Sequence, residues 1–358
     1  MRTAWVGFLL FAGCGQDLPP LPYAVEFETS KDAAAVDLII LRDEAGGLEA
    51  AVAPSKGGEL SGLRILHEGV WIETLHHARD YTPREGFAGK GPFLWPATGR
   101  NFPLDMQQRR QAGEVFDDGA YEHAGVRRSM PIHGFARDLP WTVVETSATR
   151  ESARALLTLA DSPTTREMYP FGFECSVEYL VSGGQLALRY VVRARPGNSE
   201  PMFFSLGNHI TFVAPLLEGS DPSAMMLTSP AALELLKTDY GIPTGQTRPA
   251  SFASGMRLGE YPPLRATSLG GYPEGMDPRI EYRDPGGLAI RISHHADWIP
   301  QHPVVLFNLW GDVRNGFFSP EPWVGLQNSL VQRQGLVFVD PGEEFAWTVR
   351  IAHEPASG

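Results

Sequence analysis

One carboxylate in this chain has unusual sequence neighbours. Glu321 lies between Pro320 and Pro322 and is followed by Trp323, within a proline-rich stretch at residues 317–328. The prolines stiffen the backbone and remove two N–H donors, and the aromatic neighbours exclude water, which raises the pKa of the carboxyl group. Because a carboxylate with a raised pKa is a better general base near neutral pH, Glu321 is the first candidate for catalysis. The alternative is a surface glutamate in a turn.

Two histidines are further candidates for chemistry. His133 precedes Gly134, which permits close backbone approach; taken alone, such a histidine is more often a satisfied core residue. His209 follows Gly207 and Asn208 in an apolar strand. The sequence leaves two roles open for His209, a structural hydrogen bond or a position in a pocket.

Two other segments could bind a polar ligand. Trp95 offers a flat face for a sugar ring, and Arg100 offers five donors for hydroxyl or carboxylate oxygens. The alternative is a loop with one surface arginine. Arg137 is followed by Asp138, with which it could form a purely structural pair. These segments could act together only if the fold makes them converge, and we predict that Arg100 lies in one pocket with the two histidines and Glu321.

The elements that must position these residues are mostly strands. Apolar and polar residues alternate in several segments, which is typical of half-buried antiparallel strands, and glycine- and proline-rich turns separate them. A short helix is predicted over residues 229–237, with Ser229 as N-cap and Pro230 at the first position. We therefore predict an all-β fold of packed antiparallel sheets, in one domain over residues 23–355. The clearest strand patterns lie at residues 36–40, 48–52, 173–179, 186–193, 288–292 and 345–351.

Composition excludes several classes of protein. The chain has 358 residues and a net charge of −12, which argues against nucleic-acid binding because that needs a basic face. The two cysteines are Cys14 and Cys175. Because Cys14 lies in the predicted N-terminal leader, the mature body is expected to have at most one free thiol and no internal disulfide. The adjacent histidine pairs, at residues 76–77 and 294–295, would point to opposite faces of a strand, so we predict no metal site.

The N-terminus has the pattern of an export signal. Arg2 precedes an apolar run at residues 5–12 that is too short to span a bilayer. The sequence Phe-Ala-Gly-Cys ending at Cys14 resembles the lipobox of bacterial lipoproteins, which implies acylation of Cys14 and membrane anchoring. Residues 1–22 would then be a leader and short tether. The alternatives are a plain secretory signal, or a cytoplasmic protein whose true start lies further on.

The order and spacing of five motifs resemble the aldose 1-epimerases, or galactose mutarotases. The resemblance covers most of residues 30–353, and the versions of two motifs are closer to the bacterial aldose 1-epimerase-like branch. It implies a β-supersandwich of large antiparallel sheets. The motifs are Gly99-Arg100-Asn101, His133-Gly134-Phe135-Ala136-Arg137-Asp138, Gly207-Asn208-His209, Pro243-Thr244-Gly245 and Glu321-Pro322-Trp323.

The resemblance also implies roles for the candidate residues. Glu321 would be the base that takes the proton from the C1 hydroxyl of a monosaccharide, and His209 the acid that protonates the ring oxygen. His133, the third catalytic candidate, would hydrogen-bond the sugar and help polarise its ring oxygen, and Arg100 would hold its hydroxyls. No metal or organic cofactor is implied. Further sugar-binding candidates are Trp95, Asn101, Arg137 and Asp277.

Two other functions stay open. A hexose-6-phosphate 1-epimerase has a similar motif around Arg137, which could meet a phosphate, but an exported protein would not encounter sugar phosphates. A carbohydrate-binding protein of the envelope could keep the fold without catalysis. The presence of Glu321, His209 and His133 favours the enzyme, since a binder could have lost any of them.

Overall fold

The structure is a computed structural model in which strands dominate. It describes residues 21–76, 81, 89–103, 105, 109, 119–238, 241–297 and 305–354. The predicted leader with Cys14 lies outside these residues, as does His77. Among the residues described, no helix is both long enough and apolar enough to cross a bilayer.

The strands of the described residues are numbered in chain order. The first thirteen are β1 (Tyr23–Thr29), β2 (Asp37–Asp43), β3 (Leu48–Ala53), β4 (Glu59–His67), β5 (Val70–Glu73), β6 (Phe93–Leu94), β7 (Ala120–His123), β8 (Val126–Ser129), β9 (Thr142–Ala148), β10 (Ala153–Ala160), β11 (Phe173–Ser182), β12 (Gln185–Ala194) and β13 (Met202–Phe204). The others are β14 (Leu206–Asn208), β15 (Phe212–Val213), β16 (Met226–Thr228), β17 (Leu233–Lys237), β18 (Pro243–Pro249), β19 (Met256–Arg257), β20 (Thr267–Gly270), β21 (Arg279–Arg283), β22 (Ala289–Ala296), β23 (Val305–Asp312), β24 (Phe317–Val324), β25 (Val337–Val339) and β26 (Glu344–Glu354).

Helices are few and short in the described part of the chain. The α-helices are α1 (Pro163–Met168) and α2 (Ser329–Gln332), and 3-10 turns occur at Ala136–Asp138, Pro222–Ala224, Leu258–Glu260 and Val313–Asn315. Helix α1 begins with a capping box: the side chain of Ser162 accepts a hydrogen bond from the N–H of Thr165, and the side chain of Thr165 accepts one from the N–H of Ser162.

Three large antiparallel sheets make up the fold, and the six strands predicted from alternation are confirmed. The nine-stranded sheet has the order β19-β16-β21-β22-β26-β12-β11-β10-β9. The eight-stranded sheet has the order β18-β17-β20-β23-β24-β14-β6, with β15 also paired to β24, and the five-stranded sheet runs from β1 to β5 in sequence order. Two small ribbons, β13-β25 and β7-β8, complete the set.

The hydrophobic core lies on one face of the nine-stranded sheet. Alternate residues of β11 are buried along its whole length, as a half-buried strand requires. The eight-stranded sheet covers one part of this face, where Tyr282 stacks on Phe318 with ring centroids 6.3 Å apart and Phe93 stacks on Tyr190 at 4.3 Å. The five-stranded sheet covers another part, with β2 and β3 against β10–β12. This layering is the expected supersandwich.

The predicted helix at residues 229–237 is wrong. Residues 233–237 form β17, which pairs with β18 on one side and β20 on the other. Ser229 caps no helix; its hydroxyl donates to the carbonyl of Arg279. Two ladders of backbone hydrogen bonds outweigh a helical propensity that amounts to tenths of a kcal/mol per residue. The strand carries Lys237 to the site described next.

Candidate active site

The candidate site lies on the face of the eight-stranded sheet that points away from the core. Strand β24 pairs with β23 along its whole length, and the register places Asn308 opposite Glu321. Phe318 and Val324 of β24 point into the core. Because successive side chains of a strand alternate in direction, Glu321 and Trp323 point to the opposite face, where a cavity opens.

An interruption on the other side of β24 brings His209 to Glu321. Strand β14 ends its pairing near Trp323 and β15 begins at Phe318, so the Pro-Glu-Pro segment lies between them. Proline cannot donate to a ladder, which suits it to such a gap. The segment between β14 and β15 carries His209, whose Nε2 lies 3.6 Å from Oε1 of Glu321.

Glu321 is held by two donors and is almost fully buried. Its side chain is 1% exposed. Oε1 accepts a hydrogen bond from Nδ2 of Asn308 at 3.1 Å, and Oε2 accepts one from Nε1 of Trp323 at 3.1 Å. Burial raises the pKa of Glu321 to about 8, against the opposing effects of Asn308, Lys237 and Trp323. The pKa of Glu321 is thus raised, as the sequence predicted, and burial is the main cause.

His209 is a neutral imidazole at neutral pH. Burial, with a smaller effect from Arg137, lowers the pKa of His209 to about 3. Its Nδ1 lies 3.3 Å from the hydroxyl oxygen of Thr211, and its ring meets those of His133 and Trp310 edge-on. Since the pKa of Glu321 lies above that of His209, the pair holds one proton between them over a wide pH range.

The hydrogen bond that His133 accepts makes its Nε2–H a donor at the cavity. Its Nδ1 accepts a hydrogen bond from the N–H of Gly99 at 3.0 Å, so the proton of the neutral ring is on Nε2. Burial, with the nearby His209, holds the pKa of His133 well below its usual range. Both His133 and Gly134 have positive φ, and a Cβ on Gly134 would lie 2.1 Å from the carbonyl oxygen of Trp95, so only glycine fits there.

The predicted convergence occurs: Arg100, His133, His209 and Glu321 line one cavity of about 1370 Å³. Arg137 lines it too, and its Nε lies 3.8 Å from a carboxylate oxygen of Asp138. The cavity is large enough for a small ligand by comparison with typical pockets of about 300–1,000 Å³. Four residues from separate segments therefore meet at one site, which is what acid–base chemistry on a bound molecule requires.

Three predicted sugar-binding residues lie elsewhere. Trp95 is 0% exposed and packs among core aromatic rings such as Phe173, so its assignment as a platform for a sugar ring is wrong. Asp277 is also wrongly assigned, because it pairs with His295 at 2.7 Å on the surface, away from the cavity. Asn101 is buried and does not line the cavity, and within the described residues its amide has no hydrogen-bond partner.

Several residues of the site were missed from the sequence. Asn308 and Trp310 project from β23 beside Glu321, and their alternation with the apolar Phe307 and Leu309 was the available signal. Lys237 was assigned to a helix. Glu59, at the start of β4, is a buried carboxylate of the cavity wall whose pKa burial raises to about 7.

The described residues contain no group of three or more metal-ligating side chains. His294 and His295 point to opposite faces of β22, as predicted: His294 is buried and accepts a hydrogen bond from Nε1 of Trp347, whereas His295 is exposed. The arrangement at the cavity can move protons by carboxylate and imidazole alone.

Comparisons with known proteins place these features in a family. Residues 46–277, more than half of the chain, match the family model for aldose 1-epimerase. The match includes His133 and His209, and Glu321 lies beyond its end. No curated protein matches the chain.

Solved structures share the fold. A galactose mutarotase-like protein from Clostridium acetobutylicum superposes with a TM-score of 0.73 at 17% identity, covering 93% of this chain and 99% of that chain. The Slr1438 protein from Synechocystis sp. PCC 6803 gives 0.68 at 24% identity, with coverages of 93% and 99%. A galactose 1-epimerase from Lactobacillus acidophilus NCFM gives 0.64 at 19% identity, again with coverages of 93% and 99%. At these identities the likeness shows the common fold.

Proposed function

Because the chain belongs to the aldose 1-epimerase family, we propose that it interconverts the α and β anomers of a free aldose through Glu321 and His209. The observation that carries the proposal is the 3.6 Å approach of Nε2 of His209 to Oε1 of Glu321 at the buried end of a ligand-sized cavity. An acid and a base that share one proton at such a distance can serve both ends of a ring-opening reaction.

The reaction requires two proton movements and no net change in composition. One member of the pair takes the proton of the C1 hydroxyl while the other delivers a proton to the ring oxygen. The bond between C1 and the ring oxygen breaks as the carbonyl at C1 forms. Rotation about C1–C2 exposes the other face of the carbonyl, and reversal of the proton movements closes the ring as the other anomer. The pair is returned with the single proton it held at the start.

In this proposal Glu321 acts in its ionised form and His209 in its protonated form. That arrangement carries the same total charge as the resting arrangement, in which the pKa values put the proton on Glu321. Transfer of one proton within the pair converts one arrangement into the other. The cavity contains donors that would stabilise the ring oxygen and hydroxyls, because His133 directs Nε2–H inward and Arg100 and Arg137 offer guanidinium donors.

Polarimetry of freshly dissolved α-D-glucose and α-D-galactose, with and without the protein, tests the proposal directly. We expect a catalysed approach to the equilibrium rotation that is lost in Glu321→Gln. A panel of other aldoses and of glucose 6-phosphate would identify the substrate and distinguish the sugar-phosphate alternative. Sugar binding by calorimetry without catalysed rotation, across the panel, would show a carbohydrate-binding protein and overturn the proposal.

We also propose that the protein is exported and anchored through Cys14, on the basis of the apolar run that ends in Ala-Gly-Cys. Mass spectrometry of the native protein from fractionated cells is the test. Diacylated Cys14 at the N-terminus of a membrane-bound chain is the expected result. An unmodified Met1 in the soluble cytoplasmic fraction would contradict it.

A further inference from the structure

Lys237 is a charged residue of the cavity that the reaction described above does not use. It ends β17, lines the cavity and is partly buried. Its Nζ donates a hydrogen bond to Oδ1 of Asn308 at 2.8 Å. Burying a lysine costs free energy unless its charge is compensated. The position of Lys237 near Glu321, the candidate base, therefore points to a functional role.

Asn308 connects this ammonium group to Glu321. Its Oδ1 accepts from Lys237 and, at 3.3 Å, from the hydroxyl of Ser268. An ammonium group can only donate, so the oxygen of the amide must face Lys237 and the NH2 must face Glu321. The NH2 donates to Oε1 of Glu321 at 3.1 Å, and this oxygen is also the one nearest to His209.

We infer that Lys237 is a positioning residue that acts through Asn308 to favour the ionised form of Glu321. In doing so it makes transfer of the shared proton from Glu321 to His209 easier. The inference rests on the proposed function and deepens it. A positive charge at the far end of the amide polarises its N–H groups and strengthens the hydrogen bond to a carboxylate.

Two other ionisable groups near Glu321 cannot supply this effect. His209 is neutral because burial lowers its pKa to about 3. Tyr261, which also interacts electrostatically with Glu321, is a neutral phenol because burial raises its pKa. Lys237 is the cation whose charge lowers the pKa of Glu321 against the effect of burial. Burial lowers the pKa of Lys237 itself to about 8, so it carries this charge at neutral pH.

The second carboxylate near Lys237, that of Glu234, forms ion pairs with two arginines. Glu234 lies on the same strand, and its Oε1 is 2.7 Å from a guanidinium nitrogen of Arg248 and 2.6 Å from one of Arg265. Two arginines therefore compensate the charge of Glu234. Glu234 still acts on Lys237 through space, but Glu321 has the larger effect, and the hydrogen bond of the ammonium group goes to Asn308, which leads to Glu321.

Lys237→Met tests the inference because it removes the charge and keeps the length of the side chain. We expect the mutarotation rate near neutral pH to fall about tenfold or more, the usual effect of losing a charge-assisted hydrogen bond. We also expect the alkaline limb of the rate profile to move to higher pH, since Glu321 then keeps its proton longer. Lys237→Gln, which restores a donor to Asn308 without charge, should show the same shift.

Ser268→Ala is the matched control, because it removes the uncharged donor to the same oxygen of Asn308. It should leave the position of the alkaline limb unchanged. A fall in rate without a shift of the limb in both Lys237 variants would show a merely structural role and overturn the inference. Unchanged rate and limb would overturn it as well.

A readout independent of catalysis separates this inference from the proposed function. Infrared spectroscopy detects the carbonyl band of a protonated carboxylic acid, and its absence in Glu321→Gln assigns the band to Glu321. At about pH 9, where wild-type Glu321 has lost most of its proton, the band should be stronger in Lys237→Met than in wild type. If wild type does not catalyse mutarotation but the band responds in this way, the proposed function fails and the control by Lys237 stands. An unresponsive band would refute that control whatever the activity.

Discussion

His209 and His294 are buried histidines in contrasting settings. Both are buried, burial lowers the pKa of both to about 3, and both meet aromatic rings edge-on. His294 lies in the core between two sheets, where Nδ1 accepts a hydrogen bond from Trp347. His209 faces a cavity, and its Nε2 approaches Glu321. A perturbed histidine pKa therefore does not identify an active site; access to a ligand and a partner of complementary acidity do.

The sharpest test of this contrast is Glu321→Gln, which removes the partner from the His209 site. Gln keeps the shape and hydrogen-bonding atoms but cannot act as a carboxylate base. We expect the catalysed mutarotation rate to fall by about 100- to 10,000-fold, as is typical of general acid–base groups. Circular dichroism should show an intact fold, and near wild-type activity in the folded variant would refute the role of Glu321.

His209→Asn should lower the rate by a comparable or slightly smaller factor, because it removes the other member of the pair. The double variant with Glu321→Gln should be little worse than either single variant, since groups that act as a unit give non-additive losses. Polarimetric rates of the three variants at one pH measure this. Fully additive losses would mean that the two residues act in separate steps.

The pH dependence of the rate tests whether the pair holds one shared proton. Burial raises the pKa of Glu321 to about 8 and lowers that of His209 to about 3. The singly protonated pair therefore persists between these values, and we expect a plateau there, with the rate falling above about pH 8 as the last proton leaves. If the catalysed rate instead rose about tenfold per pH unit between pH 5 and 7, the active form of the pair would be the one that carries no proton.

His133→Asn should have a smaller effect on catalysis than either change in the pair. The substitution removes the Nε2–H donor directed into the cavity but leaves the proton-sharing pair in place. Loss of one neutral hydrogen bond predicts a fall in kcat/KM of about 3- to 10-fold. An effect as large as that of Glu321→Gln would make His133 part of the proton-transfer machinery.

His294→Phe should leave the mutarotation rate per folded molecule unchanged and should lower stability. At pH 7 the free energy of unfolding should fall by about 1–3 kcal/mol, because Nε1 of Trp347 loses its acceptor in the core. The folded pKa of His294, about 3, lies below its unfolded value of about 6.5. Wild type therefore loses stability as the pH falls from about 6.5 toward 3, and the difference from the variant should shrink.

Chemical denaturation of wild type and His294→Phe at pH 7 and pH 5 measures that difference. If the difference in the free energy of unfolding between the two proteins were larger at pH 5 than at pH 7, the predicted pH dependence would be wrong. A loss of catalysis as large as that of His209→Asn would remove the contrast between the two histidines.

The sequence by itself determined the strands and the chemically competent residues. Alternation in segments such as 173–179 defined which side chains are buried, because a strand repeats every two residues. The motif order identified Glu321, His209, His133 and Arg100, and the structure brings these four to one cavity.

Tertiary structure decided the partners. Period-two alternation says that a side chain points inward or outward, but it does not say which sheet or cavity receives it. That is why Trp95 could be mistaken for a binding surface and Asp277 for a sugar ligand. Lys237 followed a leucine-rich run whose local helical preference is weak, and pairing with β18 and β20 overrode it. The contacts of Lys237 with Asn308, and of Asn308 with Glu321, exist only because the register of β23 and β24 aligns them.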